Sequence, residues 1–276
     1  MLSPLYGQLS PLRIPTKSAR IVQDTDAVAY IASVESADAQ DLEDGVKFAY
    51  EDFILGCKAD GIWSAIKASC ILAGARTLSG ALVPLVGTAP TNFNFVSADF
   101  SRETGLKGNG STKYLNSNRA NNADPQNSKH IFSYLTEKFV RSGNQTTIGR
   151  SGTGGSSLTQ GPSGSTFFRA NYLSETTFPN GVPFPLGGWG VSRSSASSVN
   201  YIFRNDGSGF VFRAETGTLS SNSTTPVSSS INVFGNTGLT YTTARLSFYS
   251  TGEHIDLAAL NTRVSTLMTD LAAAIP

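Results

Sequence analysis

The spacing of hydrophobic residues predicts helices in the first part of the chain. Residues 25–57 are predicted to be helical, with two runs of apolar positions at three- and four-residue steps. The second run covers residues 40–55 and ends near Gly56. This spacing is typical of amphipathic helices. Asp24 or Asp26 is suited to cap the first helix, because a carboxylate can accept hydrogen bonds from the free N–H groups of the first turn.

The next segment, ADGIWSAIKASCILAG at residues 59–74, is mostly apolar. The spacing from Trp63 to Ile71 fits a helix, but a strand could begin near Gly74, and the pattern leaves this boundary open. We assign residues 21–75 to a helical segment on this basis.

From about residue 76 the pattern changes to short apolar runs separated by Gly, Asn and Ser. Short strands at this spacing indicate an antiparallel β-sandwich or jelly roll, and we assign residues 76–250 to it. The fold class expected for the whole chain is therefore mainly β, with helices at both ends. The predicted strands are residues 92–96, 130–137, 166–173, 200–206, 209–215, 231–235 and 244–250.

Turn and loop signals lie between these strands. Gly108-Asn109-Gly110 predicts a hairpin turn, and residues 205–209 predict a second one. Residues 142–165 and 217–230 are rich in Gly, Ser and Thr and poor in large apolar side chains. Such stretches can bury little, so we expect surface loops there.

The C-terminal segment, residues 251–276, is predicted to be helical, with Asp256 as its cap. Its apolar positions repeat at alternating steps of three and four residues, as in a coiled-coil seam. Two interpretations stay open: the helix packs on its own sandwich, or it lies at the axis of an oligomer. The residues of this seam are Leu257, Leu260, Val264, Leu267 and Leu271.

Residues 1–20 are expected to form an extended arm, because three prolines prevent a regular helix. The arm is too apolar for a free tail, so we expect it either to dock on a partner or to pack on its own domain. It lacks the basic head and apolar run of a secretion signal. The candidate docking residues are Leu5, Tyr6, Leu9, Leu12 and Ile14.

Composition narrows the class of protein. The chain has 276 residues, 27 of them Gly, and a net charge of +1. Charged residues make up 15%, against about 25% in a typical globular protein, so the polar surface is largely uncharged. Nothing indicates the clustered basic face of a nucleic-acid-binding protein. The longest apolar runs are too short to span a membrane.

The search for reactive groups yields little. Cys57 and Cys70 do not form a CxxC motif and are expected to be buried free thiols. His130 and His254 have no HxxxH neighbours, and no GxSxG elbow is present. We therefore predict no catalytic residue, metal or cofactor, and we expect that the protein is not an enzyme.

Aromatic residues are the better candidates for recognition. Trp189 follows a Pro- and Gly-rich loop, and Tyr201 lies in a predicted strand. Both are candidate glycan contacts, because an aromatic ring can stack on a sugar. The alternative is that both pack in the core.

Three stretches, residues 59–95, 104–135 and 244–275, resemble virion proteins of tailed bacteriophages that are described as tail fibre or minor structural proteins. The resemblance implies a concanavalin A-like, or laminin G-like, β-sandwich. It also implies a non-enzymatic component of the phage particle that forms a homotrimer. A lectin-like ability to hold host surface glycans is a further implication.

The leading hypothesis from the sequence is a tail fibre or tail-associated appendage in the virion, assembled in the host cytoplasm and anchored by residues 1–20. The alternative is a capsid decoration, head-fibre or neck protein, and a glycan-degrading depolymerase is less favoured. The expected partners are other virion proteins, further copies of this chain and host surface polysaccharide. Nucleic acid and membrane insertion are not expected.

Overall fold

The computed structural model of the protein describes residues 20–139, 143–161, 166–174, 177–178, 186–204, 214–236 and 240–276. These residues form three layers: a layer of helices, an antiparallel sheet that we call sheet A, and a second antiparallel sheet that we call sheet B. The predicted fold class, a mainly β sandwich with N-terminal helices and a C-terminal helix, is confirmed.

Four helices are present in the described residues: α1 (Thr25–Asp38), α2 (Asp44–Ala59), the short α3 (Leu78–Ala81) and α4 (Leu257–Ala274). The strands are β1 (Ile66–Ile71), β2 (Thr91–Phe93), β3 (Phe100–Ser101), β4 (Gly105–Lys107), β5 (Tyr114–Ala120), β6 (Lys129–Glu137), β7 (Gln145–Arg150), β8 (Ser156–Gln160), β9 (Thr166–Arg169), β10 (Thr177–Phe178), β11 (Gly187–Arg193), β12 (Ser198–Arg204), β13 (Ala214–Ser220), β14 (Ser230–Val233) and β15 (Arg245–Gly252).

The strand order is β13-β12-β11-β6-β15-β4-β3 in sheet A and β10-β9-β8-β7-β14-β5-β2 in sheet B. Strand β15 is central to sheet A. It pairs with β6 along one side, and with β4 and then β1 along the other.

Two hydrophobic cores hold the three layers together. One lies between the sheets and includes Tyr249, and the other lies between sheet A and the helices and includes Phe248. Successive strand residues point to opposite faces, so sheet A supplies side chains to both cores. Sheet A is therefore covered on both faces.

Helix α1 begins where the sequence predicts. The Asp24 carboxylate accepts hydrogen bonds from the N–H groups of Asp26 and Ala27. Helix α2 continues to Ala59, so the predicted end at Gly56 is wrong. Gly56 serves another purpose: a Cβ at this position would lie 2.7 Å from Cδ of Arg263 in α4. The missing side chain leaves room for the neighbouring helix.

Helix α4 packs antiparallel on α2. Gly45 near the start of α2 lies against Ala274 at the end of α4, and Gly56 lies against Arg263. Arg263 also forms an ion pair with Asp60, with 2.7 Å between Nη2 and Oδ1. The terminal helices thus pack on each other and on sheet A.

The assignment of residues 21–75 to a helical segment is wrong for residues 66–71, which form β1 and pair with β15. Cys70 of this strand points into the core between the sheets, and Ile71 points into the core beneath the helices. Strand β1 reads IKASCI, with Lys67 and Ser69 between its apolar residues, and so short a run cannot be told from part of a helix by its spacing alone.

The predicted hairpin at Gly108-Asn109-Gly110 is also wrong. Strand β4 before it belongs to sheet A, and strand β5 after it belongs to sheet B, so the chain crosses from one sheet to the other. The tight turn itself is real. The Asn109 side-chain oxygen accepts hydrogen bonds from the N–H groups of Ser111, Thr112 and Lys113 at 3.0, 2.9 and 3.1 Å.

Residues 142–165 were expected to be surface loops, but β7 and β8 lie within this stretch and are almost wholly buried. Some of the side chains that these strands direct into the sandwich carry hydroxyl groups. The Thr147 hydroxyl, for example, lies 3.0 Å from the Ser133 hydroxyl of sheet A. Polar side chains can be buried in this way because hydrogen bonds compensate for their lost contact with water.

The other predicted strands differ mainly at their ends, except that residues 209–213 of predicted strand 209–215 lie outside the described residues. Predicted strand 92–96 is shortened to β2, since Asn94 adopts a left-handed backbone with φ of 68°. The first residues of predicted loop 217–230 belong to strand β13. The second predicted hairpin, residues 205–209, lies outside the described residues, but the strands β12 and β13 on either side pair antiparallel. None of the described helices is long and apolar enough to cross a membrane.

Candidate functional site

The structure corrects the prediction that Trp189 contacts a glycan. Trp189 lies on β11 and is fully buried in the core between the sheets. Its ring meets Phe168 of sheet B edge to face, with the ring centroids 6.2 Å apart. Trp189 therefore packs in the core, which was the alternative to glycan contact.

Tyr201 lies on β12 and is half-buried, with its ring centroid 5.0 Å from that of Phe168. Its hydroxyl lies over Gly217 of the next strand, where a Cβ would come within 2.4 Å of it. Tyr201 also borders a groove beside the start of α4, which His254 lines as well. Trp189 and Tyr201 therefore do not form one site.

The five seam residues of the C-terminal helix are all buried within this chain. Leu257, Leu260, Val264, Leu267 and Leu271 belong to the core between the helices and sheet A. The structure thus shows the packing alternative, and none of the five is exposed for contact at an oligomer axis. The candidate docking residues Leu5, Tyr6, Leu9, Leu12 and Ile14 lie outside the described residues.

The reactive side chains singled out in the sequence are held in structural roles. Cys57 and Cys70 are buried free thiols, as predicted, and burial raises the pKa of each to about 12. His130 is fully buried, and burial lowers its pKa to about 4. The exposed His254 has Nδ1 at 2.8 Å from the hydroxyl of Ser192.

A different candidate site lies on the outer face of sheet B, which no helix of the described chain covers. In β9, Phe168 points into the core, so Phe167 and Arg169 point outward. The Arg169 guanidinium carbon lies 4.2 Å from the ring centroid of Phe167 and 5.1 Å from that of Tyr172. Cation–π attraction to the two rings fixes the position of the guanidinium group.

The neighbouring strands contribute hydroxyl and amide groups. The Thr146 hydroxyl lies 2.9 Å from that of Thr159 and 2.7 Å from that of Thr240. The Asn236 amide donates to Thr240 Oγ1 at 2.7 Å and to Thr146 Oγ1 at 3.2 Å. This network holds Asn236 and Thr240 against β7 and β8.

The aromatic and polar groups border one groove with a volume of about 370 Å³, which we call the sheet B groove. This volume is within the range of small-molecule sites. Guanidinium, amide and hydroxyl groups can exchange several hydrogen bonds with the hydroxyls of a sugar, and Arg169 presents its donors in a rigid fork. The lining residues are Asn144, Ser151, Gly152, Thr159, Phe167, Arg169, Tyr172, Asn236 and Thr240.

The backbone beside the groove is held from inside the sandwich. Arg193 is fully buried, and its Nε donates to the carbonyl oxygen of Ala170 at 2.6 Å. The Asn171 N–H donates to Ser156 Oγ at 3.0 Å. Burial lowers the pKa of Arg193 to about 10, and backbone carbonyls satisfy its guanidinium. These contacts fix the segment that carries both Arg169 and Tyr172.

Phe167, Arg169 and Tyr172 were not among the site residues predicted from the sequence. A signal was present, because the stretch TFFRANY had been assigned to a strand. Strand alternation then places Phe167 and Arg169 together on one face. The neighbouring strands determine which face lies outward. They also determine that Tyr172 lies beside Phe167 and Arg169.

No protein-family model matches this chain, and no curated protein matches it. Several solved structures are similar. A mutant of Trypanosoma rangeli sialidase that displays trans-sialidase activity has 10% identity and a TM-score of 0.45, over 80% of this chain and 38% of the sialidase. The enzymatically active domain of tailspike protein 2 from bacteriophage CBA120 has 11% identity and a TM-score of 0.39, over 69% and 30%.

A GH54 α-L-arabinofuranosidase has 10% identity and a TM-score of 0.40, over 60% of this chain and 41% of that one. The chain thus spans well under half the length of these structures. The expectation that the protein is not an enzyme is contradicted, since the similar structures are enzymes: sialidases, an arabinofuranosidase and a tailspike domain.

Proposed function

We propose that this protein is a structural component of a tailed-phage particle, a tail fibre or tail-associated appendage, and that its sheet B groove binds glycans of the host surface. The arrangement of Arg169 between Phe167 and Tyr172, beside the hydroxyl and amide network, carries the glycan part. The resemblance of residues 59–95, 104–135 and 244–275 to phage virion proteins supports the particle part.

The layered fold suits this role. The helices cover one face of sheet A, whereas no helix of the described residues covers the outer face of sheet B, which carries the groove. A particle protein of this build would present sheet B to the host. In the proposal, residues 1–20 anchor the chain to other virion proteins and the assembled form is a homotrimer. A capsid decoration, head-fibre or neck position is the alternative location.

Binding is tested on an array of bacterial capsular polysaccharides and O-antigens. We expect the full chain to bind at least one of them, and Arg169→Ala to lower the affinity about tenfold or more. Arg20→Ala is the matched control, because Arg20 also stacks on a phenylalanine ring: its guanidinium carbon lies 4.7 Å from the ring centroid of Phe48. This pair lies in the helical layer, away from the sheet B groove. Melting temperatures show whether each variant is folded.

Release of reducing sugar is measured in the same samples, so that any hydrolysis of a bound polysaccharide is recorded. The glycan proposal fails if the full chain binds nothing on the array, or if Arg169→Ala binds as tightly as the unchanged chain.

The anchor is tested separately by deleting residues 1–18. We expect the shortened chain to fold and to be missing from purified particles. Normal incorporation of the shortened chain would contradict an anchoring role for the arm. A cryo-EM map of the parent particle then distinguishes tail, neck and capsid positions.

A further inference from the structure

A second aromatic feature lies on the same outer face of sheet B, away from the groove. Phe93 of β2 stacks on Tyr114 of β5 with the ring centroids 4.3 Å apart and the ring planes 5° from parallel. Tyr241 continues the row, with its ring centroid 6.0 Å from that of Tyr114. We call these three residues the aromatic platform.

The platform is accessible to solvent. Phe93 is 36% exposed, although it is a large apolar side chain, and Tyr114 and Tyr241 are half-buried. In β5, Leu115 points into the core between the sheets, so Tyr114 points outward. The cross-strand partner of Tyr114 is Phe93, and direct partners lie on the same face of a sheet.

A continuous path joins the platform to the sheet B groove. Thr240 lines the groove, and Tyr241 follows it directly in the chain. Three hydrogen-bonded threonines lie in between: Thr240 is half-buried and reaches the surface, whereas Thr146 and Thr159 are almost fully buried beside it. The row therefore runs from Phe167 and Arg169, through polar groups, to a second set of rings.

The length of this row decides what it fits. It crosses the sheet from β9 through β8, β7, β14 and β5 to β2. With about 4.8 Å between neighbouring strands, the five steps cover about 24 Å. A single sugar ring is much shorter than this row, whereas a glycan chain laid across the strands could contact both ends. Aromatic rings with polar groups between them also match the alternating apolar faces and hydroxyl edges of linked sugars.

We infer that the aromatic platform is a second subsite, and that the ligand class is a linear polysaccharide bound lengthwise across the strands of sheet B. This inference rests on the proposed glycan binding by the sheet B groove. It adds two features: binding strength depends on glycan length, and Phe93 and Tyr114 contribute only when the glycan reaches them.

The experiment uses the full chain and the array polysaccharide that it binds best. Partial acid hydrolysis and size fractionation of that polysaccharide provide monosaccharides, short oligosaccharides and long oligosaccharides. Affinities are measured for the unchanged chain, for Phe93→Ala and Tyr114→Ala, and for Arg169→Ala. Leu55→Ala is the control, because Leu55 is a similarly exposed apolar residue on α2.

We expect the unchanged chain to bind long fragments at least about tenfold more tightly than short ones. Phe93→Ala and Tyr114→Ala should remove this advantage and leave short-fragment binding unchanged, whereas Arg169→Ala should weaken both. Leu55→Ala should have no effect. Phe93→Ala removes an exposed ring at a sheet edge, so it keeps the test valid if Tyr114→Ala does not fold.

The outcomes separate the two proposals. If short and long fragments bind equally and the platform variants match the unchanged chain, the second subsite is wrong and glycan binding by the groove stands. If the platform variants weaken short-fragment binding as strongly as long-fragment binding, the two ends are not separate subsites. If the unchanged chain binds no polysaccharide on the array, the proposed function fails and the subsite falls with it.

Discussion

At the scale of single residues, several charged or titratable groups are buried with specific partners. His130 of β6 is fully buried, with Nδ1 donating to the carbonyl oxygen of Glu253 and Nε2 facing the Ser250 hydroxyl at 2.8 Å. Lys129 beside it is fully buried too, and its ammonium group lies 2.6 Å from the Asp124 carboxylate. Such groups link the stability of the fold to pH and to the presence of each partner.

His130 should make the protein less stable in mild acid. Burial lowers its pKa to about 4, whereas an unfolded histidine has a pKa of about 6.5. The unfolded chain therefore binds the proton first as the pH falls from about 6.5 towards 4, and stability is lost in that window. We expect the free energy of unfolding, measured in urea, to fall by about 2 kcal/mol between pH 7 and pH 5.

The variant His130→Asn provides the control for this pH effect, since asparagine does not titrate. Its stability should be lower than that of the unchanged chain at pH 7 and should change little down to pH 5. A slope as steep in His130→Asn as in the unchanged chain would assign the acid sensitivity to other groups.

Asp124 is the counter-charge of a buried cation. Burial alone would raise its pKa, but hydrogen bonds and charges from Arg119 and Lys129 outweigh burial and hold the pKa below its usual range. Asp124→Asn leaves the Lys129 ammonium buried without a partner charge. We expect a loss of about 3–5 kcal/mol in the free energy of unfolding, measured by chemical denaturation.

The double variant Asp124→Asn with Lys129→Met tests the cause of that loss. It removes the unpaired ammonium group, so it should recover part of the stability. If the double variant is no more stable than Asp124→Asn alone, the loss does not come from an unpaired charge.

At the scale of elements, the sequence predicted the helices in which one side is apolar and the other polar, and it correctly placed the caps of α1 and α4. Strand β6 was also predicted, although both of its faces are buried. Strand β7 was missed because residues such as Thr146 and Thr147 are buried through hydrogen bonds, which composition does not reveal. The strands before and after residues 108–110 join different sheets. Which sheet each strand joins depends on partners that are distant in the chain, so the local sequence did not predict it.

The candidate site was predictable only in part, for the same reason. Local alternation in β9 could place Phe167 and Arg169 on one face. The contacts that complete the groove bring Thr240 against Thr146, and these residues are 94 positions apart in the chain. No local pattern predicts such a contact.

Helix α4 provides the test at this scale. Leu260 is fully buried against the helices and sheet A, so Leu260→Ala should cost about 2–5 kcal/mol in the free energy of unfolding. Thr266 on the exposed side of the same helix is the matched control, and Thr266→Ala should stay within about 0.5 kcal/mol. Chemical denaturation measures both variants.

Sedimentation of the same variants tests the oligomer interpretation of the seam. If Leu260→Ala changes the oligomeric state but leaves the free energy of unfolding unchanged, the buried packing of α4 within the chain is wrong.

At the scale of the whole molecule, charge is divided unevenly between the segment that carries α1 and α2 and the rest of the chain. Residues 20–60 hold ten acidic and three basic side chains, whereas residues 61–276 hold ten acidic and sixteen basic ones. Arg102, between β3 and β4, binds Glu43 at 2.6 Å and connects sheet A to the helical layer, whereas Arg263 of α4 binds Asp60 at 2.7 Å within that layer. Together with the core beneath the helices, the Arg102–Glu43 pair joins the helical layer to the sandwich.

The sequence predicted the sandwich but divided the chain into a helical segment and a separate β domain. The division fails because β1 lies within the segment assigned as helical and pairs with β15. The Phe53 ring of α2 also meets Phe248 of β15, with the ring centroids 5.5 Å apart. The outer face of sheet A is thus a core surface that the helices help to cover.

A chain that begins at residue 61 should therefore not form a stable sandwich. Removing α1 and α2 uncovers Phe248, which is fully buried against Phe53 of α2 in the complete chain, and burial of such a side chain contributes about 1.5–3 kcal/mol. We expect this fragment to aggregate or to bind the hydrophobic dye ANS strongly. A chain lacking only residues 1–18 is the control and should bind little dye. If the fragment is monomeric, unfolds cooperatively and does not bind ANS, then sheet A does not need the helical layer, and the two are separate domains after all.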